Sequence, residues 1–200
     1  MSLRVTVLSA IAIGLVLLFI GALIWQGPPR ETKDRIPPPE MARMVESAAS
    51  AVRERGLAGG DAEFDRLLAI EKARNEPSGA GTADLTMAYG VELYHEWTRT
   101  DDELLLQASR DRIRASIAHY RAAFGPNHPE VALALHTFAD VDIELNGEAS
   151  PTAEIAFREA LRIRRAALGA ANPETLATEA RLESISGQGN GRRGGRQAVN

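Results

Sequence analysis

The chain has 200 residues, of which 44% are hydrophobic and 25% are charged, and its net charge is −4 at pH 7. This balance is ordinary for a globular protein and argues against a chain that is disordered throughout. The absence of cysteine excludes disulfides, thiolate catalysis and cysteine-based zinc sites, and leaves the redox compartment open. Aromatic residues make up only 5%, and alanine and leucine dominate the apolar positions, which favours helices packed closely on helices.

The first predicted element is an apolar helix near the N-terminus. Residues 5–25 contain no charged side chain, and a helix of this length reaches about 31 Å, close to the hydrocarbon thickness of a bilayer. The sequence therefore predicts a transmembrane anchor over residues 1–26, with Trp25 at the interface. A cleaved signal peptide is the alternative, although its apolar core is usually about 7–15 residues long and Gly21-Ala22 is a weak cleavage site. A buried helix of a soluble domain is a further alternative.

Two signals for the orientation of this anchor disagree. Only Arg4 and the terminal amine precede the apolar segment, whereas several basic residues come after it, so the Lys/Arg count favours a folded part in the cytoplasm. An apolar segment so close to the N-terminus, however, resembles an uncleaved signal sequence, which normally exports the rest of the chain. We favour a single-pass membrane protein with an extracytoplasmic folded part, and keep the cytoplasmic arrangement as the alternative.

A proline-rich spacer is predicted after the anchor. Gly27-Pro28-Pro29 and Pro37-Pro38-Pro39 enclose a charged segment, and neither cluster suits the interior of a helix. Residues 27–39 are therefore expected to form a short, semi-rigid connection. From residue 40 to residue 185 the apolar positions recur every three or four residues, which is the period of amphipathic helices.

Seven helices are predicted in residues 40–185, arranged as three helical hairpins and a terminal helix. Glycine, proline and capping residues mark their ends; Asp61 is the predicted N-cap of the second helix, and Asp101-Asp102 are predicted to form the turn and cap of the fourth. In chain order the helices are expected from residue 40 to Gly56 or Gly59-Gly60, from Asp61 to before Pro77, from Thr82 to Trp97, from Asp102 to Phe124, from Glu130 to Leu145, from Pro151 to Leu168, and from Pro173 to near Ile185.

The second half of the chain contains a repeat. Residues 121–125, RAAFG, return as residues 165–169, RAALG, and Pro129-Glu130 returns as Pro173-Glu174, in each case 44 residues later. A fixed period of this size is typical of helical repeat arrays, in which each unit buries its apolar face by stacking on a neighbour.

The repeat resembles the tetratricopeptide repeat, in the long-period variety found in kinesin light chains. This resemblance implies an all-α, tetratricopeptide-like array of two to three helical hairpins plus a terminal helix. It also implies that small residues let the paired helices approach while Phe157 fills the gap between units. Gly90 stands where helix-forming small residues are commoner in the family. The residues that carry the resemblance are Leu135-His136-Thr137-Phe138-Ala139, Gly147, Ala153-Glu154, Phe157, Ala160-Leu161 and Ile163, flanked by Gly125, His128-Pro129, Gly169 and Pro173-Glu174-Thr175.

The same resemblance implies a partner-binding groove, because in this family the first helix of each hairpin lines a concave surface that holds peptides. Two sets of positions are expected to line it, and each set has i, i+3, i+7, i+10 spacing and so lies on one helix face. The combined surface is acidic with one aromatic, which favours a basic peptide; an ordinary solvated face is the alternative. The two sets are Leu133, His136, Asp140 and Ile143, and, 44 residues earlier, Tyr89, Glu92, Glu96 and Arg99.

No catalytic residue, metal site or cofactor is predicted. The four histidines show neither i,i+4 pairing nor an HExxH motif. Carboxylate pairs one helical turn apart, such as Glu92 with Glu96, are more typical of solvated helix faces than of acid–base chemistry. Residues 186–200 are rich in glycine with three arginines and are predicted to be a disordered, solubilising tail. Contact of this tail with RNA or with acidic lipid headgroups is the alternative, but the tail has only three arginines and no interleaved aromatic, and no nucleic-acid partner is expected.

These observations predict a membrane-anchored scaffold that binds a protein or peptide partner and is not an enzyme. Residues 5–25 are its expected contact with the membrane. Two alternatives stay open: a cell-envelope assembly or chaperone-like factor that self-associates through its array, and a regulatory subunit of a multiprotein enzyme.

Overall fold

A computed structural model describes the backbone of residues 38–74, 79–147 and 150–194 and the side chains of residues 39–74, 79–147 and 150–185. Over these ranges the fold is all-α and contains no strand, as predicted. The helices in chain order are α1 (Pro38–Arg74), α2 (Ala80–Thr100), α3 (Glu103–Phe124), α4 (Pro129–Asn146), α5 (Pro151–Leu168) and α6 (Pro173–Gly194).

The repeated segments are the C-terminal ends of α3 and α5. Gly125 and Gly169 follow these helices with φ of 86° and 88°, a region that an L side chain rarely adopts. Each glycine donates its backbone N–H to the carbonyl of the arginine four residues earlier, Arg121 or Arg165. The same helix-ending geometry therefore recurs after 44 residues, which is the structural counterpart of the repeat in the sequence.

The first two predicted helices form one element with a break. Gly56 has φ 72° and ψ −176° and divides α1 into two arms, residues 38–55 and 57–74. Gly59-Gly60 lies inside the second arm and does not end a helix, which corrects one predicted boundary. A Cβ at Gly60 would lie 2.2 Å from Val52 Cγ2 and 2.7 Å from Tyr89 Oη, so this glycine serves close packing. Asp61 is likewise not an N-cap.

Both ends of the array extend beyond the predicted limits. α1 begins at Pro38, within the predicted spacer, because the first turn of a helix needs no N–H donors and accepts proline. α6 continues to Gly194 instead of ending near Ile185, so residues 186–194 of the predicted tail are helical. Adding residues to an existing helix costs far less than starting one.

The predicted anchor cannot be compared with the structure, because it lies within residues 1–37, outside the described ranges. The rest of the predicted tail, residues 195–200, also lies outside them. Among the described helices, none combines the length and the hydropathy that a membrane crossing requires.

The helices pack in sequence order and form two layers. Each helix has its principal contacts with the helix before it and the helix after it. Side chains also connect elements that are one step apart in the chain. Arg53, in the first arm of α1, reaches Glu96 of α2 past the second arm, and Arg181 of α6 reaches Asp140 of α4. We therefore call the first arm of α1 with α2, α4 and α6 the first layer, and the second arm of α1 with α3 and α5 the second layer.

The close approach of α2 and α3 depends on Gly90. Its carbonyl accepts a 2.7 Å hydrogen bond from Ser109 Oγ, and a Cβ at this position would lie 2.7 Å from Ile113 Cγ1 and 3.1 Å from Ile113 N. The close packing of α2 on α3 therefore explains why a glycine stands at position 90, where the tetratricopeptide pattern usually has another small residue.

Replacing Gly90 by alanine is expected to destabilise the fold. Alanine improves helix propensity by about 1 kcal/mol, but the clash with the α3 backbone forces the helices apart at a cost of about 1–3 kcal/mol. Urea denaturation should show a lower midpoint for Gly90→Ala. Helix propensity alone would raise the midpoint of Gly90→Ala, so a higher midpoint would contradict the close approach of α2 and α3 at this residue.

Candidate functional site

The eight predicted groove residues lie in the first layer, on α2 and α4, but they do not form one exposed face. Arg99 is exposed, and Glu92 and Leu133 are half-buried. The expectation of a solvent-facing surface is therefore not met for the remaining five, because helices on both sides cover them. Those five buried residues are Tyr89, Glu96, His136, Asp140 and Ile143.

Tyr89 faces the second layer. Its ring stacks on Phe64 with a centroid distance of 4.6 Å, and its hydroxyl donates to Asp61 Oδ1 at 3.2 Å. Arg112 of α3 also binds this carboxylate at 2.9 Å and lies over the Phe64 ring. Burial, followed by the nearby Asp61 charge, raises the pKa of Tyr89 above its usual value. This side chain joins α1, α2 and α3 and is not available to a partner.

The carboxylates at the end of α2 have partners within the chain. Glu96 is buried and accepts hydrogen bonds from Arg53 of α1, at 2.9 Å, and from Arg99. Glu92 lies 3.4 Å from His95 Nδ1, and this hydrogen bond lowers the pKa of Glu92 although burial opposes it. The predicted acidity of this surface is therefore largely compensated by the chain's own cations.

A buried polar cluster surrounds His136 and Asp140 where α4 meets α5 and α6. Arg164 Nη1 lies 3.3 Å from His136 Nδ1, and because a guanidinium can only donate, Nδ1 is assigned as the acceptor. The ring proton is then on Nε2, which lies 3.3 Å from Asp140 Oδ2. The other Asp140 oxygen accepts from Arg181 Nε at 2.9 Å. Residues from three helices thus share one hydrogen-bonded cluster.

Arg164, which was not among the predicted site residues, has its side chain fully enclosed at 0% exposure. Its Nη1 donates to Thr178 Oγ1 and to the Glu174 carbonyl, and Nη2 lies 3.3 Å from Glu174 Oε2. Burial lowers the pKa of Arg164, while the charge of Glu174 opposes that shift. The repeat itself could have indicated that Arg164 is buried. The equivalent position 44 residues earlier holds Tyr120, an inward-facing residue of α3.

Asp142 is a second buried carboxylate that sequence reasoning missed. It is 0% exposed and accepts from Arg110 Nε of α3 at 2.6 Å, from Asn146 Nδ2 at 3.0 Å, and from Ser150 Oγ. Ser150 in turn accepts from the backbone N–H of Ala153 and caps α5. One carboxylate therefore connects α3, α4 and the start of α5.

Charge is divided between the layers. α3 and α5 each contain four arginines and two carboxylates, whereas α2 contains three carboxylates and one arginine. α4 contains four carboxylates and neither lysine nor arginine. The first-layer helices α2 and α4 are therefore acidic and the second-layer helices α3 and α5 are basic, which places attractive charge pairs between layers.

The described residues contain a polar cleft and no cluster of potential metal ligands. Within these ranges no three or more potential metal ligands come together as a group. A cleft of about 500 Å³ opens between the two arms of α1, and its lining is mainly charged and hydroxyl side chains. These are Arg43, Glu46, Ser47, Ser50, Ala51, Glu54, Arg55 and Glu63.

The comparisons with known proteins add no assignment. No protein-family model matches the sequence, and no curated protein shows a significant match to it. The tetratricopeptide resemblance therefore stays a prediction, carried by the residues of the 44-residue repeat and compatible with an all-α fold of sequentially packed helices.

Proposed function

We propose that this protein is a membrane-anchored, tetratricopeptide-like scaffold that binds a protein or peptide partner and performs no chemistry of its own. The observation that carries the proposal is the sequential packing of the helices, each mainly on its chain neighbours. Arrays of this kind expose an extended surface for their size, and that surface is what repeat proteins use in binding. The anchor in this proposal is the apolar segment over residues 5–25.

The proposed contact region is the accessible part of the first layer. Of the eight groove residues, Glu92, Arg99 and Leu133 retain solvent exposure, so they define the surface that a partner reaches without unfolding the array. Glu92 is the groove carboxylate that solvent reaches, and its charge favours a basic segment as the bound ligand. Because Glu96 and Asp140 are already ion-paired, they support the shape of this surface and do not contact the partner directly.

Co-purification from cells after mild detergent extraction tests this function. The double variant Glu92→Gln/Arg99→Gln removes one charge of each sign, so the net charge of the chain is unchanged. We expect it to lose the partner captured by the wild-type chain, because two of the three accessible groove residues are altered. Mass spectrometry of the captured proteins, normalised to the bait, provides the measurement.

The matched control is Asp65→Asn/Arg66→Gln, which also neutralises one charge of each sign, at exposed positions in the second arm of α1 and so in the second layer. It should retain the wild-type partner. Equal retention, or equal loss, in both double variants would contradict binding at the first layer.

Cleavage of the folded part by protease added outside intact cells would support the extracytoplasmic orientation, and protection would contradict it.

A further inference from the structure

Several aliphatic side chains of the second layer are exposed to solvent and are not part of the buried core. Leu104 at the start of α3 is 60% exposed, and Ile155 near the start of α5 is 64% exposed. Ile70, in the second arm of α1, is 37% exposed and lies in the same layer. Leu176 of α6, in the first layer, is also 50% exposed. Because single exposed aliphatic residues are common in proteins, the charges next to each one decide what it can contact.

Two arginines lie beside Ile155 on the same exposed face of α5. Arg158 and Arg162 follow it at three and seven residues, so all three lie along one stripe of α5. The side chain of Arg158 is 63% exposed and pairs with Glu154 of its own helix, while Arg162 donates to the neutral amide of Asn127. Exposed ion pairs contribute little stability, so these guanidinium groups exchange partners at small cost.

The basic stripe continues onto α3. Arg121 of α3 binds Glu159 of α5 at 2.9 Å and holds the two helices side by side. Arg114, on the exposed side of α3, pairs only weakly within its own helix, with Asp111 at 3.0 Å. Among the exposed positions of α3 and α5 there are five arginines and two carboxylates, with two further carboxylates half-buried, and each helix has an exposed aliphatic residue near its start.

We infer that the exposed face of α3 and α5 docks onto an anionic lipid surface. The arginines bind lipid phosphates through charge-assisted hydrogen bonds, and Leu104 and Ile155 enter the boundary between headgroups and acyl chains. The inference rests on the proposed function in one respect: the anchor keeps the array close to the bilayer, so that a weak surface contact is favoured by high effective concentration. The acidic first layer then faces away from the lipid and toward the partner.

The absence of cysteine makes a site-specific test direct. Full-length protein carrying Ile155→Cys is labelled with an environment-sensitive fluorophore and reconstituted into phosphatidylcholine vesicles, with or without phosphatidylglycerol. We expect a blue shift of the emission only with phosphatidylglycerol, and reversal of the shift by added salt. Adding Arg158→Gln and Arg162→Gln to the labelled protein should abolish the shift.

The control label is placed at Ala177→Cys, an exposed position on α6 in the first layer. Its emission should not depend on the lipid. No shift at position 155 in anionic vesicles, an equal shift in both lipids, or an equal shift at position 177 would each overturn the inference. A shift at position 155 that requires an added protein instead of phosphatidylglycerol would also overturn it, by assigning the face to a protein partner.

Flotation of the same protein separates this inference from the proposed anchor. In high salt with phosphatidylcholine vesicles, flotation depends on the apolar segment and not on the arginines. If the protein floats but its emission does not shift with phosphatidylglycerol, the anchor is supported and the docking face is contradicted. If the emission shifts with phosphatidylglycerol but the protein does not float in high salt, the docking face is supported and the anchor is contradicted.

Discussion

Replacing Asp142 by alanine is expected to lower the free energy of unfolding by about 3 kcal/mol, a typical cost for removing one partner of a buried ion pair. The carboxylate is fully enclosed and accepts from Arg110, Asn146 and Ser150. Without it the guanidinium of Arg110, which is itself mostly covered, keeps its desolvation cost and loses its counter-charge. Urea denaturation followed by circular dichroism measures the difference.

Asp111→Ala provides the matched control for this prediction. Asp111 is exposed and pairs with Arg114 at 3.0 Å and, more distantly, with Arg110 at 3.8 Å, so its removal should cost less than about 1 kcal/mol. If the two alanine variants were equally stable, Asp142 would not be the joint between α3, α4 and α5. A loss of cooperativity in the Asp142 variant would add that α5 separates from the rest of the array before it unfolds.

The helix ends were predictable because local chemistry determines them. Asp102 accepts from the backbone N–H of Leu104 as an N-cap, and Gly147 ends α4 with φ of 83°, both where the sequence indicated a boundary. The boundary between α3 and α4 was also predicted to within one residue, with Phe124 as the last residue of one helix and Glu130 as the first of the next. Such signals involve residues within one turn of each other, and a single sequence contains all the information that they need.

The exposure of the groove residues was not predictable by the same means. Periodicity indicates that one face of a helix is apolar, but it does not indicate whether a neighbouring helix covers the polar face as well. Glu96 is buried because Arg53, 43 residues earlier, reaches it from α1, and Asp140 because Arg181, 41 residues later, reaches it from α6. Gly60 was misread for a related reason: its packing against Tyr89 is a tertiary contact.

The replacement Asp140→Asn is expected to lower the free energy of unfolding by about 2 kcal/mol near neutral pH, since it removes the charge that binds His136 and Arg181 while keeping the shape of the side chain. Ser184 also lies within hydrogen-bond distance of Arg181, at 3.4 Å, but it is neutral and does not replace the carboxylate. The exposed replacement Asp111→Asn is the control and should have little effect at any pH.

The pH dependence of the Asp140→Asn effect follows from the direction of the carboxyl pKa. Burial alone would raise the pKa of Asp140, but His136 and Arg181 outweigh burial and hold it below its usual value. A carboxyl group whose pKa is lower in the folded than in the unfolded chain stabilises the fold above the unfolded pKa, about 3.9, and this contribution is lost as the pH falls through the folded pKa. The difference between wild type and Asp140→Asn should therefore shrink as the pH falls below about 4. Urea titrations at a series of pH values measure this difference, and a gap that stays constant into strong acid would mean that Asp140 is not held as a carboxylate by the residues around it.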